Sequence, residues 1–317
     1  MSPIELKPVD RVEILSVMDN SIDVLMGNTP VAKRHQRGRD AHTRPQLRAE
    51  HGVSMLVTTY QGKDKDAFLF DTGVTIDGVL HNMDVLEIKG NELHAVVLSH
   101  GHTDHTRGLM GFIKRYGRPK IPIVLHPDAY LKRKNIQPDG HESEHIPPSK
   151  KDMEAEDVQI IEEVGPTMLI GDHALVTGQI PRTTGYEKGS PTQVALIDGE
   201  WKPDPWIHDD QAIVMNVKDK GLVVLTGCGH AGVINTLKHA VALTGVDRIH
   251  AVIGGFHLTG PIFEPIIAPT VQALKEFGPS VIVPQHCTGW KATHLIAREF
   301  PDAFVPNSVG TTMVIGA

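Results

Sequence analysis

Short apolar runs separated by polar turns recur along the chain, and they predict strands more often than long helices. Runs of about four to eight apolar and β-branched residues are typical of buried strands. Such runs lie at residues 11–18, 53–60, 67–70, 93–98, 121–125, 158–161, 167–170, 174–177, 212–217, 221–226, 249–253 and 281–283, and a last one lies within 306–315. We expect the three runs between 158 and 177 to belong to a second sheet. Helical spacing begins at Gly108, in the segment GLMGFIKRY.

A basic polar segment interrupts this pattern after the first predicted strand. Between Lys33 and Arg48 the chain carries six basic residues and one acidic residue, with almost no apolar content. This composition is typical of an exposed loop, and we expect a surface insertion near 28–49. The alternative is a flap in which Lys33 and Arg34 lend positive charge to an anionic substrate.

A second polar stretch, at 132–153, predicts another surface insertion. It contains proline and is too long for a routine connection between strands, so we expect an excursion over the surface that is a candidate lid. Arg133 could contact an anion from this segment. His141 and His145 lie beside acidic residues, and no other ligand converges on them in the sequence.

Composition and charge exclude several classes of function. Hydrophobic residues make up 40% of the 317 residues and charged residues 22%, as in an ordinary globular protein. The net charge of −7 argues against broad nucleic-acid binding, which needs a basic surface. The first twenty residues lack the basic end and apolar region of a signal peptide. No apolar run approaches the ~20 residues that span a membrane, so we expect no membrane contact.

Cysteine content bears on the cellular compartment. The chain has two cysteines, Cys228 and Cys287, which are too few for a disulfide framework. We therefore expect a cytoplasmic location.

The sequence HGHTDH at 100–105 directly follows a predicted strand and precedes the predicted helix. His100 and His102 are two apart at the strand end, so their rings can point the same way and form one half-site. Asp104 and His105 follow after the chain turns, and they can face the same cavity as a second half-site. Imidazole with carboxylate suits Zn²⁺, and also Fe²⁺ or Mn²⁺. The alternative is a histidine-rich surface loop.

This HxHxDH motif, with Phe70-Asp71-Thr72-Gly73 upstream, resembles the metallo-β-lactamase superfamily. The resemblance implies an α/β (α+β) fold, the αββα sandwich: two mixed β-sheets packed face to face, helices on the outer faces and a metal site at one edge. It implies a single domain over 1–317. It also implies that Asp71 orients the metal ligands from behind without binding metal, although a turn aspartate before glycine is the alternative.

Further motifs resemble one branch of this superfamily, the proteins similar to 7,8-dihydropterin-6-yl-methyl-4-(β-D-ribofuranosyl)aminobenzene 5′-phosphate synthase. The motifs are 178–182 (GQIPR) with Glu187, 209–212 (DDQA), 226–232 (TGCGHAG), 254–258 (GGFHL) and 284–289 (PQHCTG). The resemblance covers nearly the whole chain.

Strand ends in the second half of the chain supply the remaining candidate ligands. Relatives often carry Gly-Asp where Gly227-Cys228 stands here, and that aspartate bridges two metals. Cys228 can ligate a metal without forming the bridge, or it can be a small buried thiol with His230 as the ligand. We favour His230, because its flanking glycines leave the backbone free to aim the ring. His286, at a strand end, matches the final metal ligand of the family.

Three further positions stay open at this stage. In typical members of the family a third histidine completes the first half-site. The candidates for that position in this chain are His173, His208 and His230. His257 follows a Gly-Gly pair that allows close approach of a ligand, although a helix-start histidine bonded to the backbone is the alternative. Arg182 is a candidate substrate-binding residue. We expect the other histidines to be surface or core residues: His35, His42, His51, His81, His94, His239, His250 and His294.

These features together predict a metal-dependent hydrolase. A metal lowers the pKa of its bound water, so hydroxide becomes available as a nucleophile toward an ester or phosphodiester bond of a small anionic substrate. We expect two divalent ions, preferably zinc, with manganese or iron as alternatives. Asp104 would orient the water, and His257 would steady the developing charge or protonate the leaving group. The competing hypotheses are an iron-dependent redox enzyme similar to persulfide dioxygenases, and a catalytically silent binding protein, for which Cys228 is the best argument.

Overall fold

The computed structural model describes residues 3–36, 38, 42–117 and 120–317. The strands of the described residues are β1 (Arg11–Met18), β2 (Ala32–Lys33), β3 (Ser54–Gln61), β4 (Asp64–Phe70), β5 (Ala95–Val97), β6 (Pro122–Leu125), β7 (Arg133–Ile136), β8 (Glu142–His145), β9 (Gln159–Glu162), β10 (Thr167–Met168), β11 (Leu175–Val176), β12 (Gln193–Ile197), β13 (Glu200–Pro203), β14 (Ala212–Val217), β15 (Gly221–Thr226), β16 (Ile249–Gly255), β17 (Val281–Gln285) and β18 (Thr312–Gly316). The α-helices are α1 (Gly78–Val85), α2 (Thr103–Thr106), α3 (Leu109–Tyr116), α4 (Lys150–Glu154), α5 (Val233–Thr244), α6 (Ile267–Phe277) and α7 (Trp290–Glu299).

Two mixed sheets carry most of these strands. The first has the order β2-β18-β1-β3-β4-β5-β6-β9, and the second has the order β10-β11-β14-β15-β16-β17. Each sheet is antiparallel at one end and parallel at the other, where β4, β5, β6 and β9 of the first and β15, β16 and β17 of the second run side by side. The inner parallel strands β5, β15 and β16 are mostly apolar and buried, because both of their faces are covered.

The sheets pack face to face, and helices cover their outer faces. One apolar cluster joins Val57 and Val97 of the first sheet to Met215 and Ile253 of the second. Separate clusters lie under α3 on the outer face of the first sheet and under α5 and α6 on the outer face of the second. The αββα sandwich expected from the sequence is therefore confirmed. Among the described residues, we find no helix with the length and hydropathy of a membrane span.

One predicted strand belongs to the other sheet. We expected the run at 158–161 in the second sheet, but β9 pairs in parallel with β6 of the first sheet, with Ile123 opposite Ile160. The short helix α4 lies in the connection between these two strands, which is the crossover that parallel neighbours require. The runs at 167–170 and 174–177 do contribute strands to the second sheet, as expected.

A third sheet, which the sequence did not predict, lies outside the sandwich. It is antiparallel throughout, with the order β13-β12-β7-β8, and we call it the accessory sheet. The predicted excursion at 132–153 contains two strands of this sheet, β7 and β8, which the sequence pattern did not predict. Their sequences, RKNI and ESEH, lack the apolar alternation of a half-buried strand. Backbone pairing stabilises both strands, because β7 pairs with β12 and β8 pairs with β7.

The start of the basic segment is paired and partly buried, although its composition is typical of an exposed loop. Ala32 and Lys33 pair with β18 at the edge of the first sheet. The Arg34 side chain is buried, and its Nη1 donates to Thr311 Oγ1 at 2.8 Å. The prediction that Arg34 belongs to an exposed flap is therefore wrong, because its guanidinium is buried against Thr311. Arg37 and Arg39 of the same segment lie outside the described residues.

Candidate metal centre

The candidate ligands meet because five strands end at one edge of the sandwich. Asp71 directly follows β4, and His100 comes shortly after β5 in the first sheet. Cys228, His257 and His286 follow β15, β16 and β17 in the second sheet. Carboxyl ends of parallel strands meet at the same edge of a sheet, which is where open α/β sheets bind their ligands.

Three imidazoles form the first side of the cluster. Ring centroids are 4.5 Å apart between His100 and His102, and 4.8 Å apart between each of them and His230. All three are buried, and Nε2 of His100 and of His230 has no hydrogen-bond partner among the described residues. Burial lowers the pKa of each imidazole well below its ordinary value. The rings are therefore neutral, which is the form that binds metal.

Four residues form the second side of the cluster. Asp104, His105, Cys228 and His286 each offer one ligand atom, and these atoms all lie within 4.8 Å of one another. Nε2 of His105 is 3.1 Å from Cys228 Sγ, and Nε2 of His286 is 3.2 Å from Asp104 Oδ2. Burial raises the pKa of Asp104, but His105 and His286 outweigh burial and leave the pKa below its ordinary value. Asp104 is therefore an ionised carboxylate.

Cys228 belongs to both sides of the cluster. Its Sγ also lies within 4.8 Å of ligand atoms of His100 and His230. We expected that a metal-ligating cysteine here would not bridge two metals. The Cys228 Sγ nevertheless lies within 4.8 Å of ligand atoms on both sides of the cluster. Burial raises the pKa of this thiol well above its ordinary value, and a bound cation would favour the thiolate. A further group joins Cys228 to His257 and Cys287.

Asp71 lies behind the cluster and holds the loop that carries the ligands. Its Oδ1 accepts from Ser99 N and its Oδ2 from Ser99 Oγ, both at 2.7 Å. The Ser99 Oγ is 2.9 Å from His100 Nδ1, so the chain of contacts ends on a candidate ligand. Gly227 is required beside them, because a Cβ there would lie 2.1 Å from Ser99 Oγ. Asp71 contacts ligands without itself joining a ligand group of the described residues.

A polar network at the start of the chain positions His286. Asp19 Oδ1 accepts from the backbone N–H of His286 at 3.0 Å, and the Asn20 amide contacts its ring Nδ1 and its carbonyl oxygen. Asn307 Nδ2 donates to Asp19 Oδ2 at 2.7 Å. These contacts support His286 in a left-handed backbone conformation, with φ of 48°, that costs free energy outside glycine. Sequence reasoning missed them, since Asn20 and His286 are 266 positions apart.

Two histidines that the sequence analysis did not assign to the site lie close to the cluster. His145, at the end of β8, stacks on His102 with centroids 3.9 Å apart and rings 11° from parallel. Its ligand atom lies within 4.8 Å of those of His102 and Asp104. His51 Nε2 lies 3.8 Å from Asp104 Oδ2, and its ring is 4.5 Å from that of His286. The expectation that nothing converges on His145 is wrong. His51 is exposed, as expected, but its ring lies beside the cluster.

Arg133 attaches the accessory sheet to the loop at 99–107, which carries His100, His102, Asp104 and His105 and which we call the metal loop. It is fully buried, and it donates from Nε to Asp204 and from both terminal nitrogens to Asp209. Asp209 Oδ2 also accepts from the backbone N–H of Gly101, between the first two candidate ligands, at 2.7 Å. The expectation that Arg133 reaches an anion from a lid is therefore wrong, because two internal carboxylates already neutralise it.

Three other predicted positions lie apart from the ligand groups of the described residues. His173 contacts Lys7 O, and His208 Nδ1 contacts the Gln179 amide, so neither joins His100 and His102. His230 is the candidate whose ring lies near both, and its ligand atom groups with that of His100. Arg182 donates to backbone carbonyl oxygens of Ile180 and Trp206, and its contact with substrate stays a prediction.

Comparison with known proteins agrees with this architecture. The chain is 29% identical over 266 residues to 7,8-dihydropterin-6-methyl-4-(beta-D-ribofuranosyl)-aminobenzene-5'-phosphate synthase of Methanocaldococcus jannaschii, covering 81% of this chain and 87% of that protein. It is 30% identical to an uncharacterised protein of the same organism, covering 77% of this chain and 86% of the other.

A solved structure has the same fold over nearly its whole length. It is described as a metal-dependent hydrolase of the beta-lactamase superfamily, and it superposes with a TM-score of 0.74 at 25% identity, covering 96% of this chain and 100% of the other. The family profile of the metallo-beta-lactamase superfamily matches residues 47–243. This chain therefore belongs to the metallo-beta-lactamase superfamily.

Proposed function

We propose that this protein is a metal-dependent hydrolase that cleaves an ester or phosphodiester bond of a small anionic substrate. The observation that supports this proposal is the pair of buried ligand groups that share Cys228. Imidazole, carboxylate and thiolate donors fit divalent ions such as zinc, and also manganese or iron. When bound, such ions lower the pKa of water and polarise the bond that is cleaved.

The two ligand groups favour two ions. Burial makes the histidines of the first group neutral donors, and the second group adds a carboxylate that offsets the charge of a cation. The residues that we assign are His100, His102 and His230 for one ion, Asp104, His105 and His286 for the other, and Cys228 between them.

Two side chains are placed to move protons during the reaction. Asp104 is ionised at the centre of the cluster, where its carboxylate would orient the attacking water. His257 Nδ1 is buried without a hydrogen-bond partner among the described residues, and its ring lies 4.2 Å from that of His230. We assign His257 the protonation of the leaving group.

The surroundings of the cluster favour an anionic substrate. His257 and His230 line a cavity whose mouth carries the exposed side chain of Lys188. No ion pair joins Lys188 to another residue in the described part of the chain. An uncommitted ammonium beside a site raises the local concentration of anions even on an acidic protein.

Two other candidate functions have support. The relative from M. jannaschii is named a synthase, and its name includes a 5'-phosphate, so a synthase reaction on a phosphate-bearing compound is the second candidate. Two free thiols at the cluster, Cys228 and Cys287, suit iron as well as zinc, which favours redox chemistry as the third.

Elemental analysis with a turnover assay separates these candidates. The protein is purified without added metal, and hydrolysis of bis-p-nitrophenyl phosphate is followed before and after chelation. We expect two zinc or manganese ions per chain and turnover that the chelator abolishes. The His102→Ala variant should lose its bound metal and its turnover. The His94→Ala variant should keep its metal and its turnover, because His94 lies outside the cluster.

Each contrary outcome has a distinct meaning. Full metal content and turnover in His102→Ala would contradict the assigned site. One iron per chain without hydrolysis would favour redox chemistry, and bound zinc without hydrolysis would favour the synthase or a binding protein.

A further inference from the structure

A cavity of about 230 Å³ lies directly against the metal cluster. His230 lines it on the side of the ligands, and Lys188 lies at its mouth. The side chains that form its walls are Tyr186, Phe256, His257, Leu258, Ile262 and Phe263. Tyr186, Phe256 and Phe263 contribute aromatic rings to this lining. Leu258 and Ile262 contribute aliphatic side chains.

We propose that this cavity binds a flat apolar ring of the substrate, while the group that reacts lies against the cluster. The position of the reacting group rests on the proposed hydrolase function. The binding of the ring depends on the cavity alone.

A continuous row of rings leads from the cluster into the cavity. The centroid of His257 is 4.2 Å from that of His230 and 4.5 Å from that of Phe263. Phe263 stands almost perpendicular to His257, at 86°, which is a favourable edge-to-face geometry. A planar ligand can stack along such a wall, because aromatic side chains attract rings both through burial and through their quadrupoles.

The size and charge of the cavity narrow the ligand further. Pockets for drug-sized molecules typically measure about 300–1,000 Å³, so this smaller space suits one compact ring system. Ile262 is 37% exposed at the cavity, and a bound ring would remove part of its apolar surface from water. Glu187 also lines the cavity, but its carboxylate accepts from Ile234 N and Asn235 N of α5. Lys188 is therefore the uncommitted charge, which favours acidic or neutral ring substituents over basic ones.

Phosphonates that cannot be hydrolysed test the cavity without turnover. Calorimetry would compare phenylphosphonate, cyclohexylphosphonate and methylphosphonate on the zinc-loaded protein. We expect phenylphosphonate to bind at least about tenfold more tightly than methylphosphonate, since burial of a ring and its aromatic contacts both contribute. Cyclohexylphosphonate should lie between them, because it is apolar but not flat.

Variants assign the preference to the cavity. Phe263→Ala and, separately, Ile262→Ala should reduce the ratio of phenyl to methyl affinity by severalfold, with zinc content unchanged. Leu25→Ala, which truncates an exposed apolar side chain elsewhere, should leave the ratio unchanged. Both cavity positions are partly exposed, so these variants are expected to fold.

The outcomes separate this proposal from the function on which it partly rests. Equal affinities for the three phosphonates, absence of phenylphosphonate binding, or an unchanged ratio in Phe263→Ala would overturn the ring site. An intact phenyl preference in a protein that hydrolyses no ester or phosphodiester would overturn the hydrolase and leave the ring site standing.

Discussion

Asp71 Oδ2 lies 2.6 Å from His105 Nδ1, and both side chains are fully buried. A carboxylate at this position favours the proton on Nδ1, so the lone pair of the neutral ring resides on Nε2. That Nε2 lies 3.1 Å from Cys228 Sγ, inside the cluster. Burial lowers the pKa of His105, but Asp104 and Asp71 outweigh burial and raise it to about 9. In the absence of metal this imidazole is therefore protonated, and a cation must displace its proton.

Asp71→Asn is expected to weaken zinc binding by about 10- to 100-fold, as the loss of an orienting partner typically does. The amide can still accept from Ser99 N, but its nitrogen faces His105 Nδ1 and favours the wrong tautomer. Competition with a chromophoric chelator measures the change. The matched control is Asp66→Asn, since Asp66 contacts His94 at 3.2 Å in a partly buried pair outside the cluster. An unchanged zinc affinity in Asp71→Asn would refute the orienting role.

Local sequence patterns predicted the parts of this site that depend on strand ends. HxHxDH and His286 come directly after apolar runs, and the sandwich brings such ends together at one edge. His145 and His51 were missed because they belong to polar segments, and their approach to the cluster depends on the accessory sheet and on long-range packing. Arg133 was misassigned for the same reason: its two carboxylate partners lie 71 and 76 positions away.

Cys228→Ser is expected to lower zinc affinity by at least about tenfold, because serine replaces a thiolate with a hydroxyl that rarely ligates zinc. Cadmium-loaded wild-type protein should show ultraviolet absorption from the metal–thiolate bond, and this variant should lose most of it. Cys287→Ser is the matched control, since Cys287 is equally buried but lies outside the two ligand groups that we assign. Equal losses in both variants would show that Cys228 has no special position.

His145→Ala is expected to reduce both zinc affinity and kcat/KM for bis-p-nitrophenyl phosphate by about tenfold, by analogy with the loss of other groups that orient a ligand. The substitution removes the ring that stacks on His102, so that ring gains freedom to turn away from the cluster. Gln193 Nε2, at 3.0 Å from His102 Nε2, would still contact it. His141→Ala, on an exposed turn of the same segment, should match wild type. Full activity in His145→Ala would show that the His145 ring does not support the cluster.

Arg133→Met is expected to reduce the free energy of unfolding by about 3–5 kcal/mol, because it leaves two buried carboxylates without their cation. Urea unfolding in the presence of a chelator measures this change apart from metal binding. Adding Asp209→Asn to Arg133→Met should recover part of the loss, since one unpaired charge disappears. Arg115→Met removes an exposed ion pair with Asp84 and should cost less than about 1 kcal/mol.

The same arginine also bears on metal binding. Asp209 bonds both Arg133 and the N–H of Gly101, so a displaced Asp209 would loosen the loop between His100 and His102. Arg133→Met should therefore bind zinc more weakly even under conditions in which it is fully folded. Wild-type zinc affinity in the folded variant would mean that the accessory sheet stabilises the fold without supporting the metal loop.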